Sequence, residues 1–535
     1  MFAEARFIMI NPILTVLNRC WSLVWGEAQP TIRVEEVDVC VVGAGPTGLA
    51  TALLCSKLGL SVRIVDKAQG RLILGRADAL NARSQQLLSN VGVLPELQAL
   101  GITCNTSSVF KGGEFTSRQS EWNSYLQRDQ WTSLANTQFR EFLMIAQPQV
   151  EQALLNKLDL PVKYGTTVKR IEDGRDRATV TCDNLIVEAK YVVGADGAHS
   201  FTRNQLGINF VGIKANMRWA VLDTFLQTDF PVCPEIISFE KDGQSRVAWI
   251  PRERGLARFY VLLDGGDITQ ERTEQSIKEH LAPYSVEFAK TEWFSQFDVQ
   301  ERVAETFISE AHQRILLAGD AAHVHSVNGG QGLNTGISDA FALSWRLNLA
   351  VRGVSPQALQ SYDAERRVVA EGVVNVAAKL VRSTLRTADE YVKIVELSSA
   401  NITGMGITYP VNGLFTASGS VGDFVTGARC PDFVLSRADK STVWFYQLFQ
   451  YGIFAVLSRS DVGLTIPSGL STHVASWDVS TGPGSEVFSV HVAGEALATT
   501  FDLGRTRDVS IVIRPDLYVG YVGADPSEYL RRLTL

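Results

Sequence analysis

Residues 319–336 read GDAAHVHSVNGGQGLNTG, which places an acid, two histidines, a run of glycines and an asparagine in one short stretch. A metal site is one reading, yet His323 and His325 stand at i, i+2 without a companion set of carboxylate or cysteine ligands. Glycine backbone close to a phosphate is a second reading, and a carboxylate at a strand end that accepts hydrogen bonds from a polyol chain is a third. A stronger phosphate signal lies upstream. Gly43, Gly45 and Gly48 form GxGxxG, and Asp66 follows 18 residues after Gly48. Glycine permits the tight turn and the approach of backbone to a pyrophosphate, and the acid can take ribose hydroxyls. Asp66 therefore points to an unphosphorylated ribose, as in FAD or NAD. A third stretch, GADGAHSFTR (194–203), fits DGxxSxxR through Asp196, Gly197, Ser200 and Arg203.

These residues need particular elements to hold them. VDVCVVGAGPTGLATALLCSKLGLSVRIVDKA (37–68) reads as an apolar strand, a glycine turn, a long helix and a second strand ending in the acid, a βαβ unit. QPQVEQALLNKL predicts a helix, TVKRIED and ATVTCDN short alternating strands, and YVVGADG a buried strand. Strand-like runs between 206 and 300 predict a separate sheet-rich lobe. RILLAGD predicts the strand that delivers Gly319 and Asp320, and SDAFALSWRLNLAVRG the helix after them. The expected organisation is an N-terminal amphipathic segment (1–35), a dinucleotide-binding domain (36–205 and 301–400), a β-rich substrate lobe (206–300), a linker (401–426) rich in Gly, Ser, Thr and Asn, and a small C-terminal α/β domain (427–535).

Taken together, the three motifs resemble the flavin-dependent aromatic hydroxylases, single-component monooxygenases of the p-hydroxybenzoate hydroxylase type. The likeness runs from about 37 to 372 and includes YDAERR (362–367). The resemblance implies an α/β fold with a Rossmann-type FAD domain. It implies FAD as cofactor, with Asp320 at the ribityl chain, Gln147 at the flavin side chain, and Arg83, Gly319, Gly332, Leu333 and Asn334 among the cofactor contacts. NADPH or NADH is implied as a transient co-substrate, since there is one GxGxxG and no second nucleotide domain. The phenol 2-monooxygenase branch is the most similar. It carries a substrate acid where GRADAL places Asp78, and an arginine and tyrosine where IPRERGLARFYVLL supplies Arg252, Arg258 and Tyr260. Asp78, Arg252 and Tyr260 are thus the expected catalytic set. On residue type alone, a surface ion pair of Asp78 with Arg252 and a core Tyr260 is the better reading, and it is the position in the family pattern that turns it to function.

The implied reaction is hydroxylation of a phenol by O2 and NAD(P)H through a flavin C4a-hydroperoxide, helped by a base that takes the phenolic proton. Baeyer–Villiger oxidation or epoxidation on the same fold is the alternative, as is a degenerate FAD-binding protein that acts through partner contacts. A flavin halogenase fits less well, because VAWIP is only a fragment of W-x-W-x-I-P. Two places depart from the pattern: Val327–Asn328 stands where a proline is usual after the serine, and Phe297 where a tyrosine is usual. The lost hydroxyl favours a larger, polyketide-like phenol over phenol itself. The tail resembles the thioredoxin-like domain of the same branch. Cys430 is its single cysteine, which excludes dithiol chemistry and leaves a structural or homodimer-supporting role.

Bulk properties agree. The chain has 535 residues, 45% hydrophobic and 20% charged, and suits two or three globular domains. Its net charge of −7 and pI near 5.7 offer no basic field for nucleic acid. Seven scattered cysteines without CxxC suit a reducing compartment, so a cytoplasmic location is expected. Residues 10–25 read as an amphipathic helix that packs on the protein or lies on a membrane surface, rather than as a cleaved signal.

Overall fold

The computed structural model of the chain describes residues 33–104, 107–119, 136–231, 235–327, 329–410, 419–458, 463–481, 488–500 and 509–534. The expected N-terminal helix 10–25 and Asn328 lie outside them.

Strand Arg33–Val42 ends in the continuous apolar run Val39–Val42, which suits a strand covered on both faces. It pairs in parallel with Val62–Val65 on one side and Leu185–Gly194 on the other, and Ile315–Leu317 adds to the latter. Helix α1 (Pro46–Lys57) follows the first strand, with Gly45 as its N-cap and Pro46 in its first turn. Gly48 through Cys55 are all buried, so α1 is apolar on every side and sits inside the molecule. Gly43 has φ +104°, and a Cβ on Gly43 or Gly48 would overlap backbone at Ala195 and at Gly43 itself. Only glycine fits either place.

A second, eight-stranded sheet contains two long antiparallel strands, Phe210–Thr228 and Val286–Ala304, next to Ala257–Leu262, Gln244–Pro251 and Ile236–Lys241. This sheet is larger than the 206–300 segment. Strand Ile236–Lys241 pairs in parallel with Ser107–Lys111, which turns at Gly112–Gly113 into Glu114–Gln119. His323–Val324 closes the opposite edge against Val286–Ala304. The Gly112–Gly113 pair, both at positive φ, is the local hairpin signal. What recruits the hairpin is an edge supplied more than a hundred residues later. The lobe has its own aromatic core around Phe230, Phe239, Trp249 and Phe259.

Helix α2 (Ala82–Asn90) leaves a small three-stranded sheet formed by Ala79–Leu80, Phe142–Met144 and Ile102–Cys104. Three long helices, α3 (Gln331–Val351), α4 (Ala358–Ser383) and α5 (Ala388–Ile402), precede the C-terminal unit. That unit differs from the expected alternation of strands and helices. Its described residues form an eight-stranded sheet and one α-helix, Pro526–Arg532. The sheet gains a hairpin, Phe488–Val492 with Glu495–Thr499, that turns at Ala493–Gly494 with both residues at positive φ. A single hydrophobic core runs from Val39 and Leu53 through Phe341 and Trp345 into Phe454, Val512 and Leu533. The C-terminal unit is therefore packed into the first domain rather than tethered to it. Among the described residues no helix is long and apolar enough to cross a membrane.

Candidate active site

Three loops meet at the C-terminal ends of the parallel strands, the position where open α/β sheets bind ligands. Gly43 lies against Ala195 and Asp196. Asp196 accepts from Ser200 Oγ (2.5 Å), Thr202 N (2.9 Å) and Thr202 Oγ1 (3.0 Å). Ser200 in turn accepts from Arg203 N. The Arg203 guanidinium donates to Ala198 O and, at 2.8 Å, to Ala321 O, and it covers the Phe210 ring. DGxxSxxR is thus a clasp that ties the second motif to the third. Asp66 accepts from Ala44 N at 2.6 Å and Ala68 N at 2.7 Å, so the acid at the end of the second strand braces the glycine turn.

Gly319 N donates to Asp339 Oδ2, which also lies 2.8 Å from His323 Nε2, while Arg366 Nε donates to Asp339 Oδ1. Burial alone would raise the Asp339 carboxyl, but Arg366 and His323 hold it down to about 2. His323 is therefore an internal partner of an acid. Among the described residues no three His, Cys, Asp or Glu side chains gather as a metal-holding group. Asp320 is different. Its side chain is open to the crevice yet surrounded by protein, which pushes its carboxyl above the usual range, with His323 and Arg76 opposing. A carboxylate held this way gains most from hydroxyl donors.

Gly329 and Gly330 have φ of +88° and +61°, and Gly330 caps α3 with no side-chain bond to the first-turn amides. Leu333 is buried and Gly332 lies beside the His325 ring. Asn334 bridges: its Oδ1 accepts from Asn81 N at 2.9 Å, and its Nδ2 donates to Ala79 O and Gly330 O. Gln147 accepts from Ala77 N and donates to Glu151, which braces the Asp78 loop from the other side. The Cβ side of Gly45 is open space above a helix start with no side-chain cap. This turn, the accessible Asp320 and the glycine start of α3 suit the phosphate, polyol and ring parts of FAD in that order.

Arg83 is not brought to this group. It is 2% exposed, and its guanidinium is directed to the C-terminal unit, with Nη2 donating to Asp516 O at 2.6 Å. The resemblance implied a cofactor contact for Arg83, but its guanidinium is turned to the carbonyls of Asp516 and Leu517 instead.

Asp78 and Tyr260 do meet. Tyr260 Oη donates to Asp78 Oδ2 at 3.0 Å. The arginine beside them is Arg258, whose Nη1 lies 3.4 Å from Asp78 Oδ2. Arg258 also grips Asp223 through Nε (2.6 Å) and Nη2 (2.7 Å), and bonds Arg76 O. Arg252 stands one place back, forked onto Glu253 at 3.0 Å and 3.6 Å from Asp223. Strand alternation explains this: Arg258 and Tyr260 are two apart on Ala257–Leu262 and share a face, whereas Arg252 follows the preceding strand. Burial, then the Asp78 charge, push the Tyr260 phenol up, with Arg258 opposing, so it stays a neutral donor. Phe297 packs with Tyr260 against Trp219, Leu262, Val299 and Val381. Asp223 and Arg76 were missed in sequence. Only the strained φ of +68° at Arg76 marks it, and that is a property of the folded chain.

A family model described as the FAD binding domain matches residues 36–377. A phenol 2-monooxygenase of Aspergillus fumigatus (fsqG) is 30% identical over 509 residues, covering 88% of this chain and 84% of that protein. An FAD-dependent monooxygenase of Aspergillus terreus is 34% identical over 391 residues, but the match spans 53% of its length. In fold, the chain is similar to aklavinone-11 hydroxylase in complex with FAD and aklavinone, with a TM-score of 0.75 at 21% identity over 94% of this chain and 99% of that one.

Proposed function

The chain belongs to the FAD-binding monooxygenase family, and from that premise we propose that it hydroxylates a phenolic ring with O2 and NADPH or NADH, the ring being held at Tyr260 and Asp78. The observation that carries this reading is the Tyr260–Asp78 hydrogen bond, with Arg258 on the same carboxylate. A phenolic hydroxyl that donates to Tyr260 Oη passes its proton along the line to Asp78 Oδ2. Loss of that proton makes the ring a better nucleophile toward an electrophilic oxygen. Arg258, fixed by its fork onto Asp223, offsets the negative charge that gathers on the substrate oxygen. Arg252 supports the same Asp223 from behind and acts on the reaction through it.

The Gly43–Gly48 turn and Asp66 would hold the adenosine diphosphate part of FAD, Asp320 the ribityl chain, and the start of α3 the ring system. When bound, FAD accepts hydride from the nicotinamide and activates O2. The amides at the start of α3 favour negative charge there. Phe297 in place of a tyrosine leaves Tyr260 on an apolar wall, which supports a larger phenol of the polyketide kind. We read the C-terminal unit as structural, because it shares one core with the first domain.

The test is a panel of polyketide phenols assayed for NADPH oxidation and for product, with the new oxygen located by NMR. Substrate-stimulated oxidation with a ring hydroxyl in the product is the expected result. A protein that takes up no FAD overturns the reading. A yellow protein whose NADPH oxidation ignores every phenol favours binding without catalysis.

A further inference from the structure

Arg83 lies five residues after Asp78, on the first turn of α2, and the proton path above does not use it. Its guanidinium reaches carbonyls of the C-terminal unit, donating to Asp516 O (2.6 Å) and Leu517 O (3.4 Å). It also donates to Gln86 Oε1 (3.0 Å) and Tyr446 Oη (3.4 Å), and stacks over the Tyr518 ring at 4.8 Å. These acceptors are themselves held. Leu517 is left-handed at φ +61°, and the Asp516 carboxylate takes Arg514 (3.0 and 2.6 Å) and Trp345 Nε1 (3.1 Å). Arg514 in turn forks onto Glu365, at 2.9 Å for both bonds, and Arg346 joins Glu365 at 2.6 Å. Arg346, Glu365 and Arg514 are fully buried, so the C-terminal contact is built on a dry ion cluster.

The opposite side of the same segment is clamped too. Asn81 donates to Ile402 O, Arg83 N donates to Thr403 O, and Gln331 Nε2 at the start of α3 also donates to Ile402 O. Asn81 and Asn334 join the two helix starts. Residues 79–83 are thus fixed between the end of α5 and the C-terminal unit, while Tyr260 sits on a different sheet. Two separately anchored segments must agree for Asp78 to meet Tyr260. Nη1 and Nη2 of Arg83 make the four hydrogen bonds to Gln86, Tyr446, Asp516 and Leu517, and the buried Nε has no hydrogen-bond partner among the described residues, so burying this guanidinium is costly and an apolar residue would serve packing alone more cheaply. The five-donor fork suits a set of converging carbonyls and fixes register as well as contact.

We propose that Arg83 is a positioning residue through which the C-terminal unit sets the place of Asp78 against Tyr260 and the flavin-side helix. The proposal rests on the hydroxylase reading for its consequence and on the clamp for its structure. The experiment compares wild type, Arg83→Met and Arg83→Lys, all loaded with FAD. Product formed per NADPH oxidised falls roughly tenfold in Arg83→Met, the scale expected when a reacting group is loosened by a fraction of an ångström. FAD content stays that of wild type, and Arg83→Lys recovers part of the coupling. Amide hydrogen exchange in residues 78–88 becomes faster in Arg83→Met while 37–57 is unchanged. Wild-type coupling and exchange in Arg83→Met overturn the proposal, as does a loss of FAD that accounts for the lost coupling. Tyr446→Phe, which deletes one acceptor hydroxyl, repeats both measurements should Arg83→Met fail to fold. Wild type that hydroxylates no phenol refutes the reaction, and the exchange comparison still decides the clamp.

Discussion

Tyr260 donates its hydroxyl to Asp78 at 3.0 Å across 182 residues of chain, and this bond joins the β-rich lobe to the loop that leads into α2. Tyr260→Phe keeps the ring on its apolar wall and removes the proton path. Hydroxylation slows about a hundredfold, the ordinary scale for one proton-transfer group, with FAD content unchanged. Rapid-mixing absorbance and a flavin titration measure the two separately. Equal loss of both would assign Tyr260 to folding instead.

Asp320 is an exposed acid whose carboxyl is raised by its surroundings, and the proposed function gives it the ribityl chain. Asp320→Ala weakens FAD binding by roughly ten- to a hundredfold, the worth of hydrogen bonds to a charged group. Quenching of flavin fluorescence on titration into apoprotein reads this directly. Unchanged affinity would remove Asp320 from the cofactor site.

Arg366 and His323 hold Asp339 at about 2, against an ordinary 3.8. An acid lowered on folding adds stability above its unfolded value, and that stability disappears as pH falls from 3.8 through 2. Arg366→Met strands the buried carboxylate and costs about 3–5 kcal/mol at neutral pH. Urea unfolding checks it, and a cost below the noise of that measurement would count against the Asp339 hub.

His325 keeps its Nδ1 hydrogen on Ser326 O at 2.8 Å, and burial lowers it from 6.5 to about 4. The native ring stays neutral where the unfolded ring charges, so unfolding takes up a proton between these values and stability falls as pH drops through that window. The loss from pH 7 to 5 is about 2 kcal/mol, about 1.4 kcal/mol for each unit. His325→Gln should flatten this part of the stability–pH curve in apoprotein. An unaltered slope would place the ring in water.

Gly336 has no space for a side chain, because a Cβ would overlap Thr47 Oγ1 where α3 crosses α1. Gly336→Ala costs about 1–3 kcal/mol, as overpacking does. Thr47→Ala in the same chain should return much of it in a thermal melt. Equal stability of the single and double variants would show that the two helices separate freely.

The sequence by itself determined the glycine turn, the helix start and the strand-end acids on the first domain. A glycine that must turn, a helix start that must meet a phosphate and an acid at a strand end are local demands. Each is written in residue types at short spacing, as at Gly43–Gly48, Asp66 and Gly319–Asp320. The pair Asp78 and Tyr260 was legible through its motifs, but the arginine between them was not. Arg252 and Arg258 are the same residue type in one segment, and only the pairing of Ala257–Leu262 with Phe210–Thr228 sets Arg258 against Asp223 and Asp78. Arg83 shows the same limit, because its direction depends on a C-terminal unit whose carbonyls lie 433 and 434 positions away. Tertiary structure decided these contacts, since strand register and domain packing bring together groups whose spacing along the chain carries no trace of the meeting.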